Sequence, residues 1–313
     1  MMVVLGLILA LVALTVAGLV WVTVTTKRKV EAAVPPRGQF TKISTGRLHY
    51  IDRGTGPVVL MIHGLGAQAC NFDYALIDRL ADRYRCIAID RPGMGWSDRP
   101  DDAPASPRAQ AGYVAEVIDT LALEKPLVVG HSLGGAIGIC LALDHPEKIR
   151  GLALLAPLTR GGDAPSPAFA SLGIKSDLLR RLIAWTLATP MGMRNTPQVL
   201  DMVFGPDPVP PEYGTRGGGL LGLRPGTFFT TSRDYVASTA DIRAMRAGFA
   251  DMPVPMALLY GTQDRILSVE TQGRKLVSDH PQIRLEEIPG GHMLPLTHPE
   301  TCADFITRHD PGT

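Results

Sequence analysis

The densest chemical signal in this sequence is the run Gly130, His131, Ser132, Leu133, Gly134, a serine with a glycine two positions away on each side. It follows the apolar residues 127–129 and precedes a longer apolar stretch over 134–145, which is where a strand-to-helix nucleophile elbow would fall. A serine held on so sharp a turn needs neighbours without side chains, so that strand and helix can approach closely. Its hydroxyl is a weak nucleophile at neutral pH, and attack on an acyl carbon requires a base to remove the proton.

Of the eight histidines, His292 stands in a Gly-rich loop, Pro289, Gly290, Gly291, His292, Met293, just after the last strand-like run. His298 is the rival base, although a histidine directly before Pro299 reads as a turn into the final helix. The imidazole in turn needs a carboxylate to fix its tautomer and balance its transient charge. An elbow serine is followed in chain order by its acid and then its histidine. Asp264 ends the segment 258–264 just past a strand-like run, 28 residues before His292. Asp241 lies in a helix-like stretch and Asp251 precedes Pro253 ahead of a strand, so both read as solvated surface. Two backbone donors for an oxyanion would come from the residue after the nucleophile, Leu133, and from Leu65, in the loop after an earlier strand. His63 reads as a hydrogen-bonding brace for that loop rather than as a catalyst.

Such a constellation needs a frame that brings distant loops to one edge. Strand-like apolar runs occur over 48–52, 58–63, 86–90, 127–130 and 152–156, with helix-length segments such as 105–123 and 134–145 between several of them. Strands alternating with helices predict an α/β fold, a mostly parallel central sheet with helices on both faces. The alternation stops after Pro157 and resumes near 241 with a helix, a strand over 256–260, a helix near 271–278, a strand over 283–288 and a last helix from Pro299. The intervening residues, broken by Pro208, Pro210, Pro211 and three consecutive glycines from Gly217, read as a helical cap inserted once into the core. The predicted organisation is a membrane anchor over 1–26, a basic, Pro- and Gly-containing tether over 27–45, a first core part over 46–157, the cap over 158–235 and a second core part over 236–313.

No charged side chain occurs before Lys27, and the run up to there is rich in Leu, Val and Ala. As a helix, residues 2–24 would extend roughly 35 Å, enough to cross a bilayer. A cleaved signal would carry its positive charges ahead of the apolar stretch, whereas Lys27, Arg28 and Lys29 come after it. The positive-inside bias then favours an outside N-terminus and a cytoplasm-facing body, with an exported or periplasm-facing body as the alternative. A net charge of +1 with intermixed signs gives no footprint for a nucleic-acid partner. Cys70, Cys86, Cys140 and Cys302 have neither metal-ligand spacing nor the density of a disulfide framework. No metal constellation or phosphate-binding glycine loop is present, and the chemistry outlined needs no cofactor.

His63, Gly64, Leu65, Gly66, then the segment from Asp90 through Arg91, Pro92, Gly93, Met94, Gly95, Trp96 and Ser97 to Asp98, then the elbow and the two late loops together resemble capped α/β-hydrolases. The resemblance runs in order from about Gly46 to Arg308. It implies the hydrolase fold, a Ser132, Asp264, His292 triad, oxyanion donors at Leu65 and Leu133, and a lid over the site. It also implies that the 90–97 segment is a structural turn, with Trp96 lining or framing the pocket. Relatives that open epoxides or remove halides carry an aspartate at the elbow, and this chain departs from them with Ser132. An acyl-enzyme route is therefore expected, with hydrolysis of carboxylic esters first among its uses. Amide, thioester and carbon–carbon hydrolysis and acyl transfer to an alcohol use the same triad, and a ligand receptor uses the same fold without it. The cap and the anchor together suggest a small-molecule or lipid ester, such as an acylglycerol, reached from the bilayer. Met191, Met193, Phe204, Phe228 and Phe229 are the cap residues that would line a lipid path.

Overall fold

The computed structural model describes residues 1–160 and 167–312. Its frame is one sheet of eight strands: β1 (Gln39–Ile43), β2 (Gly46–Arg53), β3 (Val58–Ile62), β4 (Arg85–Ile89), β5 (Leu127–Gly130), β6 (Gly151–Leu155), β7 (Met256–Gly261) and β8 (Arg284–Ile288). The spatial order is β1-β2-β4-β3-β5-β6-β7-β8. β1 and β2 pair antiparallel, as do β2 and β4, and every other pairing is parallel. Strands β3, β5, β6 and β7 are buried at every position. Helices cover both faces of a parallel sheet, so its strands read as continuous apolar runs rather than alternating ones.

The helices are α1 (Met2–Ala33), α2 (Cys70–Asp73), α3 (Leu76–Leu80), α4 (Pro107–Thr120), α5 (Leu133–Asp144), α6 (Asp177–Ile183), α7 (Thr189–Phe204), α8 (Pro225–Met245), α9 (Lys275–Asp279), α10 (Leu294–Thr297) and α11 (Pro299–Arg308). Helix α4 starts where its sequence says it should. The Ser106 hydroxyl accepts the Ala109 N–H, and Pro107 occupies the first turn, where its missing donor costs nothing. Helix α5 is buried along nearly its whole length because it lies between the sheet and its neighbours α4 and α8. The described residues of the expected cap segment, 158–235, include α6, a widened turn over Ala184–Ala188, α7, a short 3-10 segment over Gly219–Leu223 and the start of α8. Residues 161–166 of the expected cap lie outside the described residues.

Two boundaries differ from the sequence reading. The expected tether over 27–45 is not a tether: α1 runs on through Lys27, Arg28 and Lys29 to Ala33, and β1 occupies Gln39–Ile43. Lys, Arg, Glu and Ala are good helix formers, and Val30 and Val34 are buried against the body. The end of the apolar run therefore marks a change of surroundings and not the end of the helix. At the other end of the cap, α8 passes unbroken through the expected boundary at 235, so one helix belongs to both parts.

Helix α8 is tied to the loop after β4 by a buried ion cluster. Asp234 on α8 accepts from Arg91 Nη1 at 2.8 Å and from Arg99 Nη1 at 2.7 Å, with all three side chains almost wholly removed from solvent. Arg91 also donates to the carbonyls of His63 and Gly64 and to Gln110 Oε1. Burial lowers the Arg91 pKa against the pull of Asp234, yet a guanidinium stays charged in any protein interior.

Candidate active site

Ser132 sits between the end of β5 and the start of α5, with φ +55° and ψ −119°. This is a strained backbone for a residue carrying a Cβ, and it persists because its surroundings over-determine it. The Ser132 N–H donates to the Leu155 carbonyl at 3.1 Å, and its carbonyl accepts from Gly135 N at 2.9 Å and Leu158 N at 3.0 Å. The flanking glycines are obligatory by contact. A Cβ on Gly130 would lie 2.5 Å from the Gly134 carbonyl oxygen, and one on Gly134 would lie 2.0 Å from that of Ile62.

His292 follows β8 in the loop anticipated for it, and its Nδ1 is 2.7 Å from Oδ2 of Asp264, which follows β7. The Asp264 side chain has no exposure to solvent. Its other oxygen, Oδ1, accepts the N–H groups of Ile266 at 2.7 Å and Leu267 at 2.8 Å. The carboxylate is thus fixed by its own loop before it meets the imidazole. The rival residues are engaged elsewhere. His298 Nε2 lies 3.2 Å from Oδ1 of Asp207, and the other oxygen of Asp207 accepts the Gly291 N–H at 2.8 Å. Asp241 accepts the Arg108 N–H, and Asp251 is exposed.

At the elbow, the Gly134 N–H is taken by the His131 carbonyl and the Gly135 N–H by that of Ser132. Among the described residues the N–H groups of Leu133 and Leu65 have no hydrogen-bond partner, which leaves both available to an incoming oxyanion. Leu65 is positioned by His63, whose Nδ1 lies 2.9 Å from the Gly64 carbonyl and whose Nε2 accepts the Arg91 N–H at 3.0 Å. Burial pushes the His63 pKa down to about 3, consistent with a neutral ring that donates at Nδ1 and accepts at Nε2.

Ser132, His292 and Leu65 open into one cavity of about 550 Å³ under the cap, whose walls include Phe169, Val199, Leu200, Val203, Leu220 and Leu223. A satellite cavity of about 200 Å³ adjoins it, sharing Gly66, Gly192, Gly222 and Leu223. Sequence reasoning passed over His131. Its Nε2 lies 3.0 Å from the His292 carbonyl, it lines the cavity, and burial lowers its pKa to about 3. A neutral ring donating at Nε2 joins the nucleophile turn directly to the histidine loop. Its place in the elbow run was the available signal.

Trp96 is not among the cavity-lining residues. It lies under Arg224, whose guanidinium carbon is 5.2 Å from the ring centroid. Of the five expected lipid-path residues, Phe228 lines the satellite cavity. Met191 and Met193 are exposed, Phe204 is buried against Met293 and Leu296, and Phe229 lies beneath Arg180 and Arg181. Their place in the expected cap segment suggested them, but only packing decides which side chains meet the cavity. No cluster of three or more potential metal ligands occurs among the described residues.

Fold and sequence together define the class. The family model described as "Alpha/beta hydrolase family" matches residues 59–305, and the chain belongs to that family. Among curated proteins, haloalkane dehalogenase 2 of Mycobacterium bovis is 38% identical over 121 residues, covering 38% of this chain and 42% of that protein. The 2-hydroxymuconate semialdehyde hydrolase of a Pseudomonas species is 36% identical over 137 residues, covering 40% of this chain and 48% of that protein. The chain thus spans less than half the length of these curated relatives. Among solved structures, a membrane phospholipase A superposes with a TM-score of 0.67 at 24% identity, covering 99% of this chain and 97% of that one. A match of that extent takes in most of α1.

Proposed function

We propose that this hydrolase-family enzyme cleaves carboxylic esters through an acyl-enzyme on Ser132, with Asp264 and His292 completing the triad and lipid esters as its substrate class. The observation that carries the reading is the His292 Nδ1 to Asp264 Oδ2 contact of 2.7 Å beside a cavity that also receives Ser132. Asp264 holds the proton of His292 on Nδ1, so Nε2 is the basic nitrogen. That nitrogen takes the Ser132 hydroxyl proton as Oγ attacks the ester carbonyl carbon. The negative charge that develops on the carbonyl oxygen is received by the N–H groups of Leu65 and Leu133, each worth about 3 kcal/mol by analogy with other oxyanion holes. Collapse expels the alcohol, which takes the proton from His292. Water then enters, is deprotonated by the same nitrogen and releases the acid.

An aspartate nucleophile would leave an alkyl ester on the enzyme, which suits halide or epoxide substrates. The serine favours acyl chemistry instead, despite the partial likeness to a dehalogenase. The predominantly apolar cavity walls and the apolar stretch of α1 up to Thr26 support an apolar acyl group delivered from a bilayer. In this reading α1 is a single span, and Lys27, Arg28 and Lys29 keep the catalytic body on the cytoplasmic side. Labelling with a fluorophosphonate ester, with p-nitrophenyl butyrate and laurate hydrolysis measured in parallel, tests the chemistry. Labelling and turnover should both disappear in Ser132→Ala. A folded wild-type protein that neither labels nor turns over would overturn the proposal in favour of a binding protein on a hydrolase fold.

A further inference from the structure

The expected cap segment carries large apolar side chains that nothing among the described residues covers. Leu178, Leu182 and Trp185 fall at helical spacing on α6 and the turn that follows, with exposures of 81%, 57% and 40%. Leu187 and Met191 further along the same helical stretch are exposed at 43% and 51%, and Leu179 and Met193 are also exposed. Seven large apolar side chains exposed within sixteen residues, interrupted by Arg181 paired with Asp101, mark an interaction site rather than ordinary surface.

What covers it follows from α1. Residues 2–18 of α1 stand almost clear of the protein, and contact with the body begins at Leu19. That clear stretch is about 26 Å long, short of a hydrocarbon layer of about 30 Å. The apolar run continues to Thr26, but over residues 19–26 the helix is already packed on the body, and Thr23 is fully buried. The segments it touches most are Ala184–Ala188, α7 and Gly219–Leu223, all in the expected cap segment, and Thr26 Oγ1 lies 3.7 Å from Met193 Sδ. A helix placed so that its apolar length fills the bilayer therefore draws these cap segments down with it. The charged residues of α1 start only at Lys27, and exposed Lys175 and Arg194 bracket the apolar residues 178–193 in the sequence, a pattern suited to anionic headgroups.

We propose that the cap face formed by α6, the 184–188 turn and the start of α7 is embedded in the acyl-chain region of the leaflet that α1 leaves. The inference rests on the reading of α1 as a membrane span. It gives the enzyme an interfacial contact in addition to the α1 span, and it puts the two cavities where a bilayer ester can reach them. Both are lined by Gly192 of α7 and by Gly222 and Leu223 of the α1-contacting segment.

The test uses full-length protein in phosphatidylcholine and phosphatidylglycerol vesicles. A bimane fluorophore is placed in turn on Leu182→Cys, Met191→Cys, Leu9→Cys and Asp251→Cys; the four native cysteines are buried. Nitroxides on lipid acyl chains and aqueous iodide serve as the two quenchers. The proposal expects labels at 182 and 191 to be quenched by the lipid nitroxides like the label at 9, while the label at 251 responds to iodide. Iodide quenching at 182 and 191 with lipid quenching retained at 9 would place the cap above the membrane and overturn it. Protection of 182 and 191 from both quenchers would mean that a second protein copy covers the face. Iodide quenching at 9 would remove the span, and the proposal with it.

Discussion

Replacing Asp264 by asparagine isolates the function of one atom. In the wild type, Oδ1 accepts two backbone N–H groups, from Ile266 and Leu267, while Oδ2 faces His292 Nδ1. In Asp264→Asn the two backbone donors still require an acceptor, so the amide oxygen must take the Oδ1 position. The amide NH₂ is then directed at Nδ1, which has to become the lone-pair nitrogen, and the imidazole proton moves to Nε2. A histidine with its proton on Nε2 cannot take one from Ser132. The fold should survive because both loop hydrogen bonds are retained. The kcat for p-nitrophenyl butyrate should fall about 10⁴-fold, the scale seen when a triad acid is neutralised with its geometry intact. That is about 5.4 kcal/mol of barrier. The rate of fluorophosphonate labelling should fall in step, since it uses the same activated hydroxyl. A variant that melts like the wild type and keeps kcat within about tenfold of it would refute the assignment of Asp264 as the orienting acid.

Asp234→Asn should lower unfolding free energy by about 3–5 kcal/mol, because Arg91 and Arg99 would be left buried without a counter-charge; urea denaturation measures it. Gly134→Ala should destabilise by at least about 1–3 kcal/mol, since the added carbon would meet the Ile62 carbonyl oxygen at 2.0 Å, and a thermal melt checks it. The wild type should lose stability as pH falls from about 6.5 towards 3. His63 and His131 stay neutral in the folded state to about 3, while the unfolded chain protonates them near 6.5, so the unfolded state binds more protons throughout that window. Each contributes up to about 1.4 kcal/mol per pH unit, and His131→Gln should flatten the urea midpoint against pH by about one proton's worth; an unchanged slope would exclude His131.

The sequence by itself determined most of the sheet and the loops that hold the candidate site. Five of the strands, β3 to β7, are short apolar runs that burial on both faces demands, and they match the apolar pattern to within one or two residues. Ser132, Asp264 and His292 could be named as candidates because an elbow, a post-strand acid and a Gly-rich terminal loop are each local patterns, and the structure brings Asp264 to His292 and opens Ser132 and His292 into one cavity. Tertiary structure decided what local pattern does not encode. Lys27 to Ala33 stays helical because Val30 and Val34 find a surface on the body to bury against. β1 is an edge strand with mostly exposed residues, so no alternation announced it. The roles of Asp207, Asp234 and His131 depend on partners 84, 143 and 161 positions away. Which cap side chains face the cavity and which face outward was likewise settled by packing, because a helix offers every face with the same local energy until something is placed against one of them.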